Sequence, residues 1–336
     1  MRSLGFRLLN EYQRGFPLCS RPFAAIAERL QTSERLVLEH LRGFHEQGIV
    51  SRVGAVFAPR TIGASVLAAL AVPDSRLESV AAMVSARPEV NHNYERGHRY
   101  NLWFVAAASG EARLHEVLRE IESEARCGSL LVLPLIDEYR IDLGFDLSGS
   151  EPELGAGTPV ASPPPLELQP EHERLIAALQ EGLPLVSSPY AVLGAAAGLG
   201  EDEVLAIFGR WLREGVIRRF GVVLRHRELG YRANAMAVWD VPDAQVGALG
   251  ARLARLQDVT LCYRRGRALP EWRYNLFCMI HGRSRDSVLG RVAELEDECG
   301  LAEFDSAVLF SRRRFKQCGA RYVQQPEPSR VWERHV

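Results

Sequence analysis

The chain has 336 residues, 47% of them hydrophobic and 25% charged, which is typical of a globular protein and excludes a disordered one. Its length exceeds what one hydrophobic core usually serves, so we expect two or more domains. The 41 basic and 42 acidic side chains leave a formal net charge of −1. Proteins that bind nucleic acid through many phosphates usually carry a basic surplus, so the overall charge argues against that class.

The six cysteines are scattered along the chain without a CxxC pair. Zinc and iron–sulfur centres usually need closely spaced thiolates, so we expect no metal site and reduced thiols. No apolar run approaches the ~20 residues that a membrane helix needs, and the first nine residues lead straight into polar ones, unlike a secretory signal. We therefore expect a cytoplasmic protein that makes no membrane contact.

In chain order, residues 22–30 begin with a proline and predict a helix, and Ser33 can cap a second helix over 34–46 that stops at Gly48. Residues 49–57 alternate like a strand and form the wing of a winged helix-turn-helix unit. The segments that follow predict a strand over 65–72, a helix over 77–86, strands over 90–95 and 100–107, a helix over 111–125 and a strand over 130–136. This is the βαββαβ order of a ferredoxin-like sandwich.

The same order then repeats, because residues 13–63 match residues 180–230 without a gap. Tyr94-Glu95-Arg96-Gly97 likewise matches Tyr263-Arg264-Arg265-Gly266, and Arg99-Tyr100-Asn101-Leu102 matches Arg273-Tyr274-Asn275-Leu276. The second copy carries extra residues around 268–271. Its sandwich elements are predicted over 232–241, 244–256, 259–263, 274–280, 286–299 and 302–310.

We thus predict an α+β fold, a tandem duplication of a winged helix-turn-helix unit and a ferredoxin-like domain. The first copy divides into residues 1–63 and 64–147, and the second into 171–230 and 231–322. A Pro/Gly-rich linker over 148–170 joins the copies, and residues 323–336 form a tail.

The densest group of chemically capable side chains lies at the hairpin between the second and third sandwich strands, over residues 91–104. A solvated hairpin with one satisfied histidine is the alternative interpretation. The recurrence of Tyr-x-Arg-Gly and Arg-Tyr-Asn-Leu in the second copy favours a functional one. His98 is matched by Arg267, so the proton-handling group occurs in one copy only, which predicts one catalytic half and one binding half.

Arginines are concentrated in the second copy, including a run over 311–316. A charge run by itself usually marks a solvated face. Arginine also forms bidentate pairs with carboxylates, each worth about 1.5–3 kcal/mol when shielded from water. The collection therefore predicts a ligand with several carboxylates and a broad apolar body that stacks on Tyr94, Tyr263 and Trp103.

A winged helix-turn-helix followed by this sandwich resembles the feast/famine (Lrp/AsnC) transcription regulators, and the resemblance implies DNA binding. A recognition helix must present basic or amide side chains to DNA. The corresponding segments carry Ser33-Glu34-Arg35 in the first copy and Gly200-Glu201-Asp202-Glu203 in the second. Phosphates repel such carboxylates, so we expect the helical units to be a scaffold and the chain to bind no nucleic acid.

More specific motifs resemble the sirohaem decarboxylase family, in a form that fuses its two related subunits. The motifs are Phe16-Pro17-Leu18 with Arg21-Pro22-Phe23, Gly54-Ala55-Val56-Phe57, His92-Asn93-Tyr94 with His98-Arg99-Tyr100-Asn101-Leu102-Trp103-Phe104, Tyr274 to Gly282, and Arg313-Arg314-Phe315-Lys316. The resemblance implies that two acetate side chains of sirohaem become methyls, giving 12,18-didecarboxysirohaem in haem d1 or alternative haem biosynthesis. It implies no cofactor beyond the iron-containing substrate.

His98 is the expected general acid, because imidazole titrates near neutrality, and His92 is the second choice. His98 could instead ligate the substrate iron. The expected substrate-binding residues are Arg52, Tyr94, Arg96, Tyr100, Asn101, Trp103, Arg219, Tyr263, Arg265, Arg267, Arg313, Arg314 and Lys316. Association through the sandwich sheets would give a homodimer, and other haem-pathway enzymes are further expected partners. A DNA-binding regulator and a non-catalytic tetrapyrrole sensor are the alternative hypotheses.

Overall fold

The computed structural model describes residues 3–141, 163–225, 233–256 and 259–323. It confirms the α+β fold and the duplication. Most of the predicted linker lies outside these ranges, as do Arg227, Gly230 and the tail beyond residue 323. The predicted domain boundaries therefore stay predictions.

Each copy begins with three helices rather than the two predicted. The first copy has α1 (Leu4–Glu11), α2 (Pro22–Leu30) and α3 (Glu34–Glu46), and the second has α6 (Pro170–Gln180), α7 (Pro189–Ala197) and α8 (Glu201–Arg213). The predicted cap of α3 is confirmed, since the Ser33 hydroxyl accepts a hydrogen bond from the Leu36 amide. The first turn of α8 carries Glu201, Asp202 and Glu203, as expected.

The wing is built from both copies. Strands β1 (Val50–Phe57) and β6 (Ile217–Leu224) pair antiparallel, with Gly54 opposite Gly221, to form a two-stranded ribbon. A Cβ atom on Gly221 would lie 2.4 Å from the Tyr12 carbonyl oxygen, so only glycine fits there. The helices of both copies and this ribbon share one hydrophobic core.

The two sandwich sheets close on each other as an eight-stranded barrel, in the order β10-β3-β4-β2-β5-β8-β9-β7. The strands are β2 (Ala64–Leu70), β3 (Val90–Arg96), β4 (Leu102–Ala108), β5 (Leu131–Ile141), β7 (Ala233–Trp239), β8 (Val259–Arg265), β9 (Leu276–Gly282) and β10 (Ser306–Gln317). Helices α4 (Leu77–Ala86), α5 (Glu111–Ala125), α9 (Val246–Leu253) and α10 (Arg285–Cys299) pack on the sheets.

Strands β5 and β10 run beyond their predicted ends at residues 136 and 310, to Ile141 and Gln317. The added residues pair with the other copy, because β5 joins β8 and β10 joins β3. We call the β3/β10 pairing the first seam and the β5/β8 pairing the second seam. The sheets expected to form a homodimer are therefore joined to each other within one chain.

The barrel interior differs at its two ends. At the ribbon end, β3 begins near the β1/β6 ribbon, because Asn91 and His92 line one cavity together with Arg52 and Arg219. At the aromatic end, Trp272 packs on Trp103 with 5.0 Å between ring centroids, and both are about 1% exposed. In the described ranges, no helix has both the length and the apolar character needed to cross a bilayer.

Candidate active site

A cavity of about 370 Å³ lies inside the barrel, between the two sheets. Its lining comes from both copies and includes three arginines and two histidines, but no Asp or Glu among the described residues. The polar and aromatic lining residues are Ser65, Asn91, His92, Tyr94, Arg96, Trp103, Phe104, Asn234, Thr260, Tyr263, Arg265, Phe277, His281, Ser311, Arg314 and Gln317. A basic, aromatic-lined cavity of this kind suits a flat anion.

Two arginines on the cavity wall are related by the repeat. Arg96 lies over the Tyr94 ring at 5.9 Å and donates to the Leu309 carbonyl at 3.0 Å, while Arg265 lies over Tyr263 at 5.1 Å and donates to Leu133 at 3.0 Å. Burial lowers the pKa of each guanidinium to about 10. The Nε atoms of both are buried and have no hydrogen-bond partner among the described residues. Both residues line the cavity, so their guanidinium groups are candidate contacts for an anion.

His92 lies at the start of β3, at the ribbon end of the cavity. Its Nδ1 is 2.9 Å from Asn91 Oδ1, and its ring stacks on Tyr94 with centroids 6.2 Å apart. Within the described residues its Nε2 makes no hydrogen bond, so one ring nitrogen can meet a ligand. Burial and the nearby Arg52 lower the pKa of His92 to about 4.

His281 is the second imidazole on the cavity wall and comes from the other copy. Its Nδ1 is 2.6 Å from Asn234 Oδ1 and its Nε2 is 3.0 Å from Thr260 Oγ1. Burial and Arg96 lower its pKa to about 4. Because both nitrogens are engaged, His281 is held in place by protein groups, unlike His92.

A second cavity, of about 200 Å³, lies between the ribbon and the barrel. Asn91, His92 and Gln317 line both cavities, so the two adjoin at the ribbon end of the first seam. Arg52 and Arg219, one from each ribbon strand, line the second cavity. The structure thus brings these two predicted residues close to His92.

His98 lies elsewhere, in the turn after β3 at the aromatic end, and lines neither cavity. Its Nδ1 accepts a hydrogen bond from the Tyr100 amide at 3.1 Å, and its ring packs edge-on to Trp272 at 5.4 Å. Burial and Arg99 lower the pKa of His98. These contacts give His98 a structural position and separate it from the cavity arginines.

The other predicted residues of that hairpin either line the cavity or make structural contacts. Trp103 lines the cavity, and its indole donates to the Tyr100 carbonyl at 2.6 Å. The Tyr100 hydroxyl donates a hydrogen bond to the Glu271 carboxylate at 3.1 Å. This bond attaches the extra residues of the second copy to the first copy. The side-chain amide of Asn101 forms two hydrogen bonds with the backbone of Val72: its Oδ1 accepts from the Val72 amide and its Nδ2 donates to the Val72 carbonyl.

The arginines of the predicted run over 311–316 also differ in whether they line the cavity. Arg314 lines the cavity and donates to Gln317 at 3.2 Å. Arg313 instead pairs with Glu95 and Glu78, and lines neither cavity.

Two further predicted residues make structural contacts as well. Lys316 donates to the carbonyls of Ser85 and Arg87, each at 2.8 Å, at the C-terminal end of α4. Arg267 is held by Asp240 and Asp243, each at 2.8 Å. Neither residue lines the cavities.

Sequence reasoning missed the polar group around His281. The Tyr274 to Gly282 motif contains that histidine, but its partners Asn234 and Thr260 lie on other strands. A signal did exist, because a histidine that follows an apolar strand segment is a candidate for burial. The described residues contain no group of three or more His, Cys, Asp or Glu placed to hold a metal ion.

Two family models match this chain, each of them twice. An AsnC-like ligand binding domain matches residues 62–140 and 228–316, and a siroheme decarboxylase NirDL-like HTH domain matches residues 6–50 and 172–218. The paired matches confirm the duplication.

Curated relatives match nearly the whole chain. A siroheme decarboxylase NirDL subunit from Paracoccus denitrificans is 43% identical over 321 residues, covering 95% of this chain and 97% of the relative. A siroheme decarboxylase from Hydrogenobacter thermophilus is 32% identical over 321 residues, covering 95% of each. A separate NirD subunit from Stutzerimonas stutzeri is 50% identical over 145 residues, covering 43% of this chain and 95% of the relative.

Solved structures agree with these matches. The crystal structure of the siroheme decarboxylase NirDL superposes with a TM-score of 0.69 at 30% identity, covering 95% of this chain and 94% of that one. The same enzyme with an iron-uroporphyrin III analogue gives a TM-score of 0.67 at 30% identity, covering 93% and 92%. By these matches and its basic barrel cavity, the chain belongs to the sirohaem decarboxylase family of carboxy-lyases.

Proposed function

We propose that this chain removes CO₂ from two acetate side chains of sirohaem, leaving methyls, and that the barrel cavity is where it does so. The carrying observation is a cavity whose described lining has three arginines, stacked aromatic rings and no carboxylate. Sirohaem is a flat macrocycle with eight carboxylates. A NirDL relative has been crystallised with an iron-uroporphyrin III analogue, which supports a tetrapyrrole as the ligand class.

The arginines hold the carboxylates that do not react. Arg96 and Arg265 each keep a buried Nε without a partner among the described residues, and each stacks on a tyrosine that fixes its plane. A carboxylate in reach of such a group gains a charge-assisted hydrogen bond worth about 1.5–3 kcal/mol. Arg52 and Arg219 extend this positive surface toward the ribbon.

The reaction needs one proton for each CO₂ lost. The bond between the methylene and the carboxylate breaks, its electron pair stays on the methylene beside the conjugated ring, and a proton completes the methyl. His92 is the proposed donor, because it lines the cavity and its Nε2 makes no hydrogen bond among the described residues, whereas His281 is engaged at both nitrogens. His98, the expected donor, is separated from the cavity and does not enter this mechanism.

Binding of the substrate itself prepares His92 to donate. Burial and Arg52 hold its pKa at about 4, so the ring is neutral near pH 7. Substrate carboxylates beside the ring favour its charged form and raise that pKa. The imidazolium then gives its proton to the methylene and is recharged from solvent before the second decarboxylation.

The test is anaerobic incubation of the full chain with sirohaem, followed by mass spectrometry. The expected result is the loss of two CO₂ and the formation of 12,18-didecarboxysirohaem. A tetrapyrrole sensor would shift the Soret band without a loss of mass, and a DNA-binding regulator would retard DNA with a steep salt dependence. Either of those outcomes would replace the decarboxylase proposal.

Several finer expectations belong to the same proposal. The product would enter haem d1 or alternative haem biosynthesis, and the reaction would take place in the cytoplasm without a further cofactor. A homodimer and other haem-pathway enzymes stay predicted partners.

A further inference from the structure

The two seams of the barrel are related by the repeat but carry opposite charges at one position. At the first seam, Arg314 of β10 pairs with Tyr94 of β3. At the second seam, Glu138 of β5 pairs with Tyr263 of β8. Tyr94 and Tyr263 are equivalent residues and both line the cavity. Arg314 lines it as well, whereas Glu138 takes the corresponding position in the second seam, next to Tyr263, without being a lining residue.

Glu138 is a buried carboxylate with an incomplete set of partners. Its side chain is about 10% exposed, and its Oε1 lies 3.8 Å from Nη2 of Arg218 on the ribbon. Its Oε2 is buried and accepts no hydrogen bond among the described residues. Arg60 also acts on this carboxylate through space, but no ion pair within 4 Å joins the two. A carboxylate whose cations are this distant keeps much of its negative charge directed at its surroundings.

Cross-strand partners share one face of a sheet, so Glu138 lies on the side of β5 that carries Tyr263 toward the cavity. A ligand carboxylate next to Tyr263 would therefore meet a like charge, and Arg218 would already be engaged. At the corresponding position of the first seam lies Arg314. His92 lies nearby on β3, the strand that also carries Tyr94.

We propose that Glu138 is a specificity-determining residue that keeps substrate carboxylates away from the second seam, so that they gather at the first seam beside His92. The proposal rests on the proposed function and deepens it, because it explains how a nearly symmetric barrel holds a polycarboxylate tetrapyrrole asymmetrically. Glu138 takes the place at the second seam that a ligand carboxylate could otherwise take beside Arg218.

The test measures binding rather than turnover, by absorbance titration of the full chain with iron-uroporphyrin III, which carries eight carboxylates. Glu138→Gln removes the repelling charge and keeps the shape, so its dissociation constant should fall about 3- to 10-fold, the effect of one charge at this range. Arg218→Gln removes the neutralising partner of Glu138, so its dissociation constant should rise.

Asp137→Asn is the matched control. It removes a carboxylate from the neighbouring position of β5, where Asp137 pairs with Arg264 and is about half exposed, and should leave the affinity unchanged. Glu138→Gln should change the dissociation constant of iron-coproporphyrin III, which has four carboxylates, less than it changes that of iron-uroporphyrin III.

A merely structural role for Glu138 predicts that Glu138→Gln and Arg218→Gln both lower the melting temperature and both weaken binding, and that outcome would overturn the proposal. Opposite signs for the two variants would support it. Failure of the proposed decarboxylation is separable, because the titration needs no loss of CO₂. If the wild type does not bind iron-uroporphyrin III, both proposals are overturned.

Discussion

The ribbon end and the aromatic end of the barrel are made from the same strands and serve different purposes. At the ribbon end the interior stays open, and polar groups such as His92 and Gln317 line both cavities. At the aromatic end Trp272, Trp103 and Tyr100 fill the interior and join the two copies. The comparison teaches that histidines on one hairpin can have entirely different surroundings, because a strand carries them to opposite ends.

The largest expected effect is at the ribbon end. His92→Ala should lower the turnover of sirohaem about 10²–10⁴-fold, because a positioned general acid contributes that much, while ligand uptake is largely kept. Single-turnover mass spectrometry and Soret titration measure the two effects separately. His98→Ala is the matched control and should keep turnover near the wild-type rate; the reverse pattern would return His98 to the mechanism.

At the aromatic end the expected effect is on stability. Trp272→Ala should lower the free energy of unfolding by about 3–5 kcal/mol, since it removes a fully buried ring that contacts Trp103, Tyr100 and Tyr274. Urea unfolding followed by circular dichroism measures this. A loss below about 1 kcal/mol would mean that the aromatic end does not hold the two copies together.

Between the two ends, Arg96→Gln and Arg265→Gln should each weaken the binding of iron-uroporphyrin III about 10-fold or more, because each variant loses a shielded carboxylate contact. Arg313→Gln serves as the control: it changes the same charge at a residue that lines neither cavity, and should leave affinity unchanged. Equal effects of all three variants on the affinity would mean that the overall positive charge of the protein, rather than specific arginines in the cavity, determines binding.

The most distributed effect is a pH dependence of stability to which both copies contribute. Burial lowers the pKa of His92 and of His281 to about 4, from 6.5 in the unfolded chain. Between pH 6.5 and 4 the unfolded chain binds more protons, so this stability is fully present above pH 6.5 and is lost as the pH falls. The loss is at most about 1.4 kcal/mol per pH unit for each imidazole.

Urea unfolding at pH 7, 6 and 5 measures this slope. His92→Gln should reduce the slope by up to one proton, because the His92 contribution is removed while those of His281 and His98 remain. Equal slopes for the wild type and the variant would mean that His92 is not buried as a neutral ring.

The sequence by itself determined the duplication, the order of elements and the kinds of side chain that line the cavity. These are local or repeated properties, visible in spacing and in matched motifs such as Tyr94 to Gly97 with Tyr263 to Gly266. It also placed part of the cavity wall, including His92, Tyr94 and Arg96, in one short segment, but it could not separate His92 from His98.

Tertiary structure decided that separation. The two histidines are six positions apart on and just beyond β3, up to about 20 Å at the rise of a strand, so one reaches the open cavity and the other the filled end. The tertiary structure also extends β5 and β10 so that each pairs with a strand of the other copy. This pairing places Glu138 and Arg314 at corresponding positions. Such pairing depends on which strand edges meet when two sheets close, and no local pattern of residues encodes that.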